Sequence, residues 1–242
     1  MMPAFFNSVC MATYNGERFI IDQISSILGQ IGEHDELIIS DDGSADQTVA
    51  LIKTINDPRI KLLTGHTFRD PIKNFQFALQ QAKGQYIFLS DQDDVWMEHK
   101  YKSMLKQLES YDLVISDSVI VDESLEVLHP SFFAYFNSGK GVLKNMIKSS
   151  YYGSCMAFNQ KVLQSALPFP DTKEIGHDLW LGLVAELKYT VLFYQVPLLK
   201  YRRHTSAFTP LVVGKSKRKI SQMIYGRIIM IREVVKFLIK TP

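Results

Sequence analysis

Short apolar runs alternate with apolar residues at three-and-four spacing along the first half of the chain, and Gly, Asp or Asn marks each changeover. The run Val9 to Ala12 reads as a strand between polar Asn7-Ser8 and the turn Tyr14-Asn15-Gly16. Phe19, Ile20, Ile24, Ile27 and Leu28 then share a helical face, with Gly29 or Gly32 available to end it. Glu36 to Ser40 is a second strand running into Asp41-Asp42-Gly43-Ser44, and Asp46 is placed to cap a helix reaching about Ile55. Strands follow at Ile60 to Thr64, Tyr86 to Ser90 and Leu113 to Ser116, with helices at Pro71 to Ala82 and Met97 to Leu108 between them.

Strands separated by helices pair in parallel through right-handed crossovers, so the pattern predicts an α/β layered sheet. Beyond Asp117 it loosens into a polar and aromatic stretch ending near Tyr152. Strands are expected again at Ser154 to Phe158, Thr190 to Tyr194 and Pro197 to Tyr201, with a helix at Asp178 to Leu187. No Pro/Gly/Ser-rich linker intervenes, so residues 1–210 read as a single domain on a mostly parallel central sheet, followed by a tail at 211–242.

In that tail, Ile220 to Ile239 sets Ile220, Met223, Ile224, Ile231, Val234, Val235 and Leu238 on one helical face, and Ser221, Gln222, Arg232, Glu233, Lys236 and Lys240 on the other. From Leu211 onward eight basic residues, among them Lys215, Lys217 and Arg218, oppose only Glu233, a balance of +7 against −5 for the rest, so the formal +2 joins two unlike parts. A basic amphipathic helix suits an anionic membrane surface, the flank of its own domain, or a second copy in a homodimer. The near-zero total gives no argument for a nucleic-acid partner.

At 242 residues, 46% hydrophobic and 21% charged, the chain has the make-up of an ordinary globular protein. Cys10 and Cys155 lie far apart in apolar runs, which excludes a disulfide framework. The start MMPAFFNS lacks the pattern of a signal peptide, and no run approaches the roughly 18 apolar residues of a membrane span. The expected compartment is the cytoplasm, with the tail as a candidate peripheral contact at the inner face of the membrane.

In open α/β sheets ligands bind at the carboxyl ends of the strands. Tyr14, Asp41-Asp42 and Asp91-Gln92-Asp93-Asp94 each follow a strand directly, which gathers them on one rim. Converging carboxylates repel, and a cation is the usual resolution; oxygen ligation suits Mg²⁺ or Mn²⁺ held together with substrate phosphates. The plainer reading of SDDGS and SDQDD is solvated loops and caps. No phosphate loop is present and the first turn reads TYNGER, so kinase, GTPase and nicotinamide readings lose their support. FLSDQDDV fits the D-x-D-x-V of haloacid-dehalogenase phosphatases, with Asp91 and Asp93 as the pair, but that class places the motif after its first strand, and here three strand-helix units come before it.

ATYN, IISDDGSADQT, NFQFALQQAKGQYIFLSDQDDVW, GSCMAFN, HDLW and YRRH, in this order over roughly residues 7 to 208, resemble the family 2 glycosyltransferases of the GT-A fold, in spelling the bacterial rhamnosyltransferase-like subgroup. The resemblance implies an inverting enzyme that moves a sugar from a nucleoside-diphosphate donor, UDP- or dTDP-linked by preference, to a saccharide or lipid-linked saccharide of a bacterial surface glycan. It implies that Tyr14 packs on the base, Asp42 accepts a hydrogen bond from it and Asp41 supports the loop, with Ala12, Thr13, Asn15 and Glu17 beside them. Lys73 and Asn74 fall near the nucleotide and phosphates, Asp91 with Gln92 near the ribose and sugar, and Asp93 with His204 on Mn²⁺ or Mg²⁺.

The same resemblance makes Asp178 the base that deprotonates the acceptor, with His177 orienting it or touching the acceptor. Arg203 and His204 become a phosphate clamp, and Asp94, Gly153 and Trp180 fall in the phosphate or acceptor region. By position alone Asp178 reads equally as a helix N-cap, Arg203-His204 as a surface basic cluster, and Trp96 and Trp180 as core. Thr205-Ser206-Ala207 stands where the subgroup commonly has an Asn after the His. The loop Phe132 to Lys148 reads as an acceptor lid. A non-catalytic nucleotide-sugar-binding subunit is the further alternative.

Overall fold

The computed structural model describes residues 6–204 and 219–240. Its first half follows the alternation closely: β1 (Ser8–Thr13), α1 (Ile20–Leu28), β2 (Glu36–Asp41), α2 (Thr48–Thr54), β3 (Ile60–Leu63), α3 (Pro71–Gln81) and β4 (Tyr86–Ser90). These strands lie in the order β3-β2-β1-β4, all parallel. The chain steps from β1 to β2 and β3, then returns to set β4 on the other side of β1. The order therefore reverses between β1 and β4, and a crevice opens at their carboxyl ends. Helices cover both faces of the block, so its strands are apolar throughout rather than alternating: Val9 to Met11, Leu37 to Ile39 and Ile87 to Leu89 are fully buried.

The second half completes the sheet. β8 (Met156–Asn159) runs antiparallel to both β4 and β6 (Leu113–Val121), and β9 (Val191–Arg202) runs parallel to β6. β5 (Val95–Trp96) pairs with β9 at the edge, and β7 (Val127–His129) with the end of β6. Several elements differ from expectation. β6 continues five residues past Ser116, and short helices α5 (Phe132–Phe136) and α6 (Val142–Ile147) fill the stretch expected to be irregular.

The two expected strands at 190–201 are a single β9. It bulges at Gln195-Val196, because Ser116 pairs with Tyr194 and Asp117 with Pro197, whose missing N–H makes a bulge the natural place for it. α4 (Lys100–Leu108) starts three residues late because Val95 and Trp96 are drawn into pairing with Lys200 and Leu199. α7 (Gln160–Ala166) was not foreseen; Asn159 caps it by accepting from the Lys161 and Val162 amides.

α8 (His177–Lys188) matches its expected span within a residue and packs its middle into the core. A Cβ on Gly182 would fall inside the Tyr151 ring. Gly182→Ala is expected to destabilise the fold by about 1–3 kcal/mol through overpacking, read as a lowered midpoint in thermal unfolding.

α9 (Ile220–Lys240) is the tail helix, with the burial moved round from the predicted face. Gly226, Ile229, Met230, Val234 and Phe237 are buried, and Phe237 meets Trp180 edge-to-face at 5.8 Å. Of the predicted apolar face only Val234 is buried, while Ile220, Met223, Ile224, Ile231, Val235 and Leu238 are exposed. The helix is apolar on two sides, and the domain takes the side that carries Gly226, Ile229, Met230, Val234 and Phe237. Lys215, Lys217, Arg218 and the first five residues lie outside the described residues.

Candidate active site

Two loops, after β1 and after β2, form one end of the crevice, and they are joined by hydrogen bonds. After β1, the Asn15 amide donates to Ser44 Oγ at 2.9 Å, Asn15 Oδ1 accepts from the Ala45 amide at 2.9 Å, and the Gly16 amide donates to Thr48 Oγ1 at 2.7 Å. Glu17 accepts from the Gln47 amide at 2.8 Å, while its own amide donates to Asp46, whose carboxylate also accepts the Thr48 amide at 3.0 Å; the cap position of α2 is Gln47, one residue beyond the expected Asp46. Asp41 accepts from Thr13 Oγ1 and from both the amide and hydroxyl of Ser44. These groups build the loops. Tyr14 stands clear of them, 55% exposed at the rim.

Asp42 is buried, and its two oxygens accept the Phe68 and Asp70 amides, which ties the end of β2 to the loop before α3. Each oxygen keeps a further lone pair for a ligand donor. Asn74 bridges the carbonyls of Thr13 and Ser40 with its Nδ2 at 3.2 and 3.0 Å and accepts from Ser40 Oγ at 2.6 Å. It positions the loops from below. Lys73 is exposed, 3.7 Å from Asp171. Ala12 is half-buried at the end of β1.

The loop after β4 carries the second set. The Gln92 side chain accepts from the Tyr14 amide at 2.9 Å and donates to the Tyr14 carbonyl at 3.0 Å, so its amide is spent on joining the loops. The Asp91 amide donates to Ser154 Oγ at 2.8 Å. Burial, and then the neighbouring charge of Asp93, pushes the Asp91 carboxyl up to about 7, and Asp178 adds to the same effect. Asp94 is fully buried, accepting the Arg202 amide at 3.0 Å and the Tyr152 hydroxyl at 3.1 Å; burial, then Asp93 and Asp91, holds its carboxyl well above the usual range.

Asp93 Oδ2 lies 2.9 Å from His204 Nε2, and the Asp93 carbonyl accepts from Arg202 Nε at 2.9 Å. Buried Arg202 also reaches the Glu123 carbonyl and Asp22 and lies over the Phe19 ring. Beneath the loop, fully buried Lys100 donates to the Ser154 carbonyl at 3.0 Å. Burial pulls its pKa down, while the charges of Cys155 and Asp94 work against that. The backbone of the acidic loop and of the turn beside it thus rests on two side chains, Arg202 and Lys100, that the sequence did not single out.

Arg203 is buried, its guanidinium over the Tyr201 ring and donating to that hydroxyl. Strand alternation is the signal that separates these neighbours: Arg202 and His204 share a face toward Asp93, and Arg203 faces the other way with Tyr201.

The wall opposite the loop is the start of α8. Asp178 sits in its first turn behind N-cap Gly176, half-buried, accepting from the Leu179 amide at 2.7 Å; it is not the cap that position alone allowed. The His177 ring stacks on Phe75 at 4.0 Å, and burial lowers its pKa, so it stands neutral. Gly153, in a 3-10 turn (Gly153–Cys155), gives room to this ring: a Cβ there would lie 3.0 Å from His177 Nε2. Its neighbour in the structure is thus the start of α8. Trp180 is core, with Nε1 donating to the Ala166 carbonyl at 3.0 Å, and buried Trp96 packs on Phe88; neither ring walls a sugar pocket.

The raised Asp91 carboxyl sets a pH dependence. Asp91 holds its proton more tightly folded, at about 7, than at its ordinary 3.8, so its contribution to stability is complete below that ordinary value and is lost as pH rises through about 7. Asp91→Asn is expected to flatten the fall in melting temperature of the metal-free chain between about pH 4 and about pH 7. An unchanged slope would contradict the crowding of charge described above.

A parallel β3-β2-β1-β4 block with an acidic loop at its switch point is the GT-A fold of nucleotide-sugar transferases. The family model for glycosyl transferase family 2 matches residues 8–167, and the chain belongs to that family: it is a glycosyltransferase. It is 24% identical over 227 residues to the UDP-Glc:alpha-D-GlcNAc-diphosphoundecaprenol beta-1,3-glucosyltransferase WfgD of Escherichia coli, covering 90% of this chain and 85% of that one. It is 32% identical over 179 residues to WfaP, a glucosyltransferase of the same description from Escherichia coli, covering 74% and 70%.

Among solved structures, S. aureus TarS 1-349 in complex with UDP-GlcNAc superposes with a TM-score of 0.66 at 18% identity, covering 85% of this chain and 62% of that one. The mannosyltransferase PcManGT from Pyrobaculum calidifontis, in complex with GDP-Man and Mn2+, superposes with a TM-score of 0.56 at 17% identity, covering 78% and 54%. This chain therefore spans less than two thirds of either solved chain. Family membership and the placing of Asp91 after β4 set aside the phosphatase alternative.

Proposed function

We propose that the chain transfers a sugar, with inversion, from a UDP- or dTDP-linked donor to a hydroxyl of a bacterial surface glycan, and that the acceptor is a lipid-linked saccharide. The observation that carries the scheme is that one turn touches both walls of the crevice: Ser154 Oγ accepts the Asp91 amide at 2.8 Å, and a Cβ on the adjoining Gly153 would lie 3.8 Å from Asp178 Cβ, which supports reading the carboxylate on α8 and the acidic loop after β4 as parts of one site. WfgD and WfaP, by their descriptions, use UDP-Glc and a diphosphoundecaprenol-linked acceptor, which supports the donor and acceptor classes.

Tyr14 offers its exposed ring to the base, and Asp42 keeps a lone pair for a base N–H. Asp93 and His204 would hold a divalent cation. Their donor atoms stand side by side, 2.9 Å apart, next to carboxyls that burial, and then the neighbouring charges, keep from ionising easily. Among the described residues no cluster of three or more His, Cys, Asp or Glu completes a metal shell, which fits an ion finished by substrate phosphate and water. When bound, it neutralises charge on the departing diphosphate.

Asp178 takes the proton of the acceptor hydroxyl as that oxygen attacks the anomeric carbon from the face opposite the diphosphate. Neutral His177, fixed by its stacking on Phe75, orients the start of α8 without placing a competing charge beside the base. Direct attack inverts the anomeric centre.

The test is thermal unfolding with UDP-, dTDP-, GDP- and CDP-sugars, each with and without Mn²⁺. At about a hundred times Kd a ligand adds about 2.7 kcal/mol, several degrees for a domain of this size. A Mn²⁺-dependent rise with a UDP- or dTDP-sugar is expected, and no rise with any donor would contradict the proposal.

A further inference from the structure

Helix α9 is apolar on two opposite sides. One side is buried against the domain through residues such as Met230 and Phe237. The other carries Ile224, Ile228, Ile231, Val235 and Leu238, which stay 46–58% exposed. Their spacing alternates four and three residues, so they form one stripe along the helix. At its edge the Arg227 guanidinium donates to the Ile147 carbonyl, which brings α6 alongside with Leu143 and Ile147 exposed at 76% and 71%. Scattered exposed apolar residues are ordinary, but a contiguous patch of this kind marks an interaction surface.

Charge selects the occupant. Arg227 flanks the stripe on one side and Arg232 with Lys236 on the other, and α6 adds Lys144. Glu233, the acid of α9, is already paired with Arg232 and Lys236 at 2.7 and 3.0 Å. Two copies joined through the stripe as a parallel coiled coil would set Arg227 of one against Arg232 of the other at the flanking positions, and an antiparallel pair would set each against its own kind. Both arrangements repel. An anionic lipid surface turns the same charges into attraction and receives the stripe at the headgroup boundary. The geometry is that of a helix lying in the surface: no helix among the described residues is long and apolar enough to cross a membrane.

We infer that α9, fastened to the domain by one apolar face and flanked by α6, seats the enzyme on an anionic bilayer through its other apolar face and basic rim. The full chain should float with vesicles of phosphatidylglycerol and phosphatidylcholine, not with phosphatidylcholine alone, and should release as salt rises. Arg232→Glu with Lys236→Glu is expected to weaken that binding at least about tenfold, and Ile228→Glu with Ile231→Glu to abolish it. Circular dichroism melts would establish that both variants stay folded.

Absence of binding to the anionic vesicles would overturn the inference, as would binding left intact in either folded variant. A dimer in light scattering that Ile228→Glu with Ile231→Glu dissolves, without vesicle binding, would give the stripe to a second copy and overturn it too. Vesicle binding needs neither donor nor base, so its failure leaves those assignments standing.

Discussion

Asp178→Asn should keep donor affinity and lose transfer by about 10²–10⁴-fold, the usual worth of a positioned general base. The substitution is nearly isosteric. The Asn oxygen can still accept the Leu179 amide, so the first turn of α8 keeps its geometry. What disappears is the ability to take a proton from the acceptor hydroxyl. Removing that charge also relieves Asp91 of one of the forces that raise its carboxyl pKa, so donor binding should not suffer. Initial rates of transfer beside calorimetric titration of the donor separate the two effects. Near-normal turnover would strip Asp178 of the role, and donor binding lost together with turnover would give it a structural one.

The second large effect is expected at Asp93. Asp93→Ala should abolish the Mn²⁺-dependent part of donor binding and lower transfer at least about a hundredfold, since a missing stabiliser of leaving-group charge costs on the order of 3 kcal/mol. The loop itself should survive, because Arg202 Nε holds the Asp93 carbonyl, which the substitution retains. His204, without its carboxylate neighbour, would face the diphosphate alone. Donor titrations with and without Mn²⁺ that match those of the unaltered chain would remove Asp93 from the ion. Asp94→Ala makes the contrast: it strips buried partners from the Arg202 amide and the Tyr152 hydroxyl, so its cost should appear first in thermal stability.

Strand-end chemistry was legible in the sequence because it depends only on local pattern. Apolar runs end at Thr13, Asp41 and Ser90, and parallel pairing carries their ends to one rim. What each polar group does there was less legible. Asn74, Gln92, Asn15 and Glu17 were expected at the nucleotide, yet they form hydrogen bonds to neighbouring backbone that join and support the loops, a matter of which loop lies beside which. Lys100 and Arg202 escaped notice for the same reason, since a lysine at a helix start and an arginine in a basic run look solvent-facing until the chain folds over them. The tail shows a further limit. Periodicity finds both apolar sides of α9, but only contact with Trp180 and its neighbours decides which side is covered.

The reciprocal pair between the Gln92 side chain and the Tyr14 peptide joins the loop after β1 to the acidic loop after β4. Neither loop can shift without pulling the other, so the two work as a single jaw. On the proposed function, a nucleoside settling against Tyr14 would stiffen the acidic loop before any sugar is in place, and the ordering cost of the second half of the donor would be met in part by the first. Fragments of the donor would then bind with linked affinities, with Gln92 as the joint through which the linkage passes.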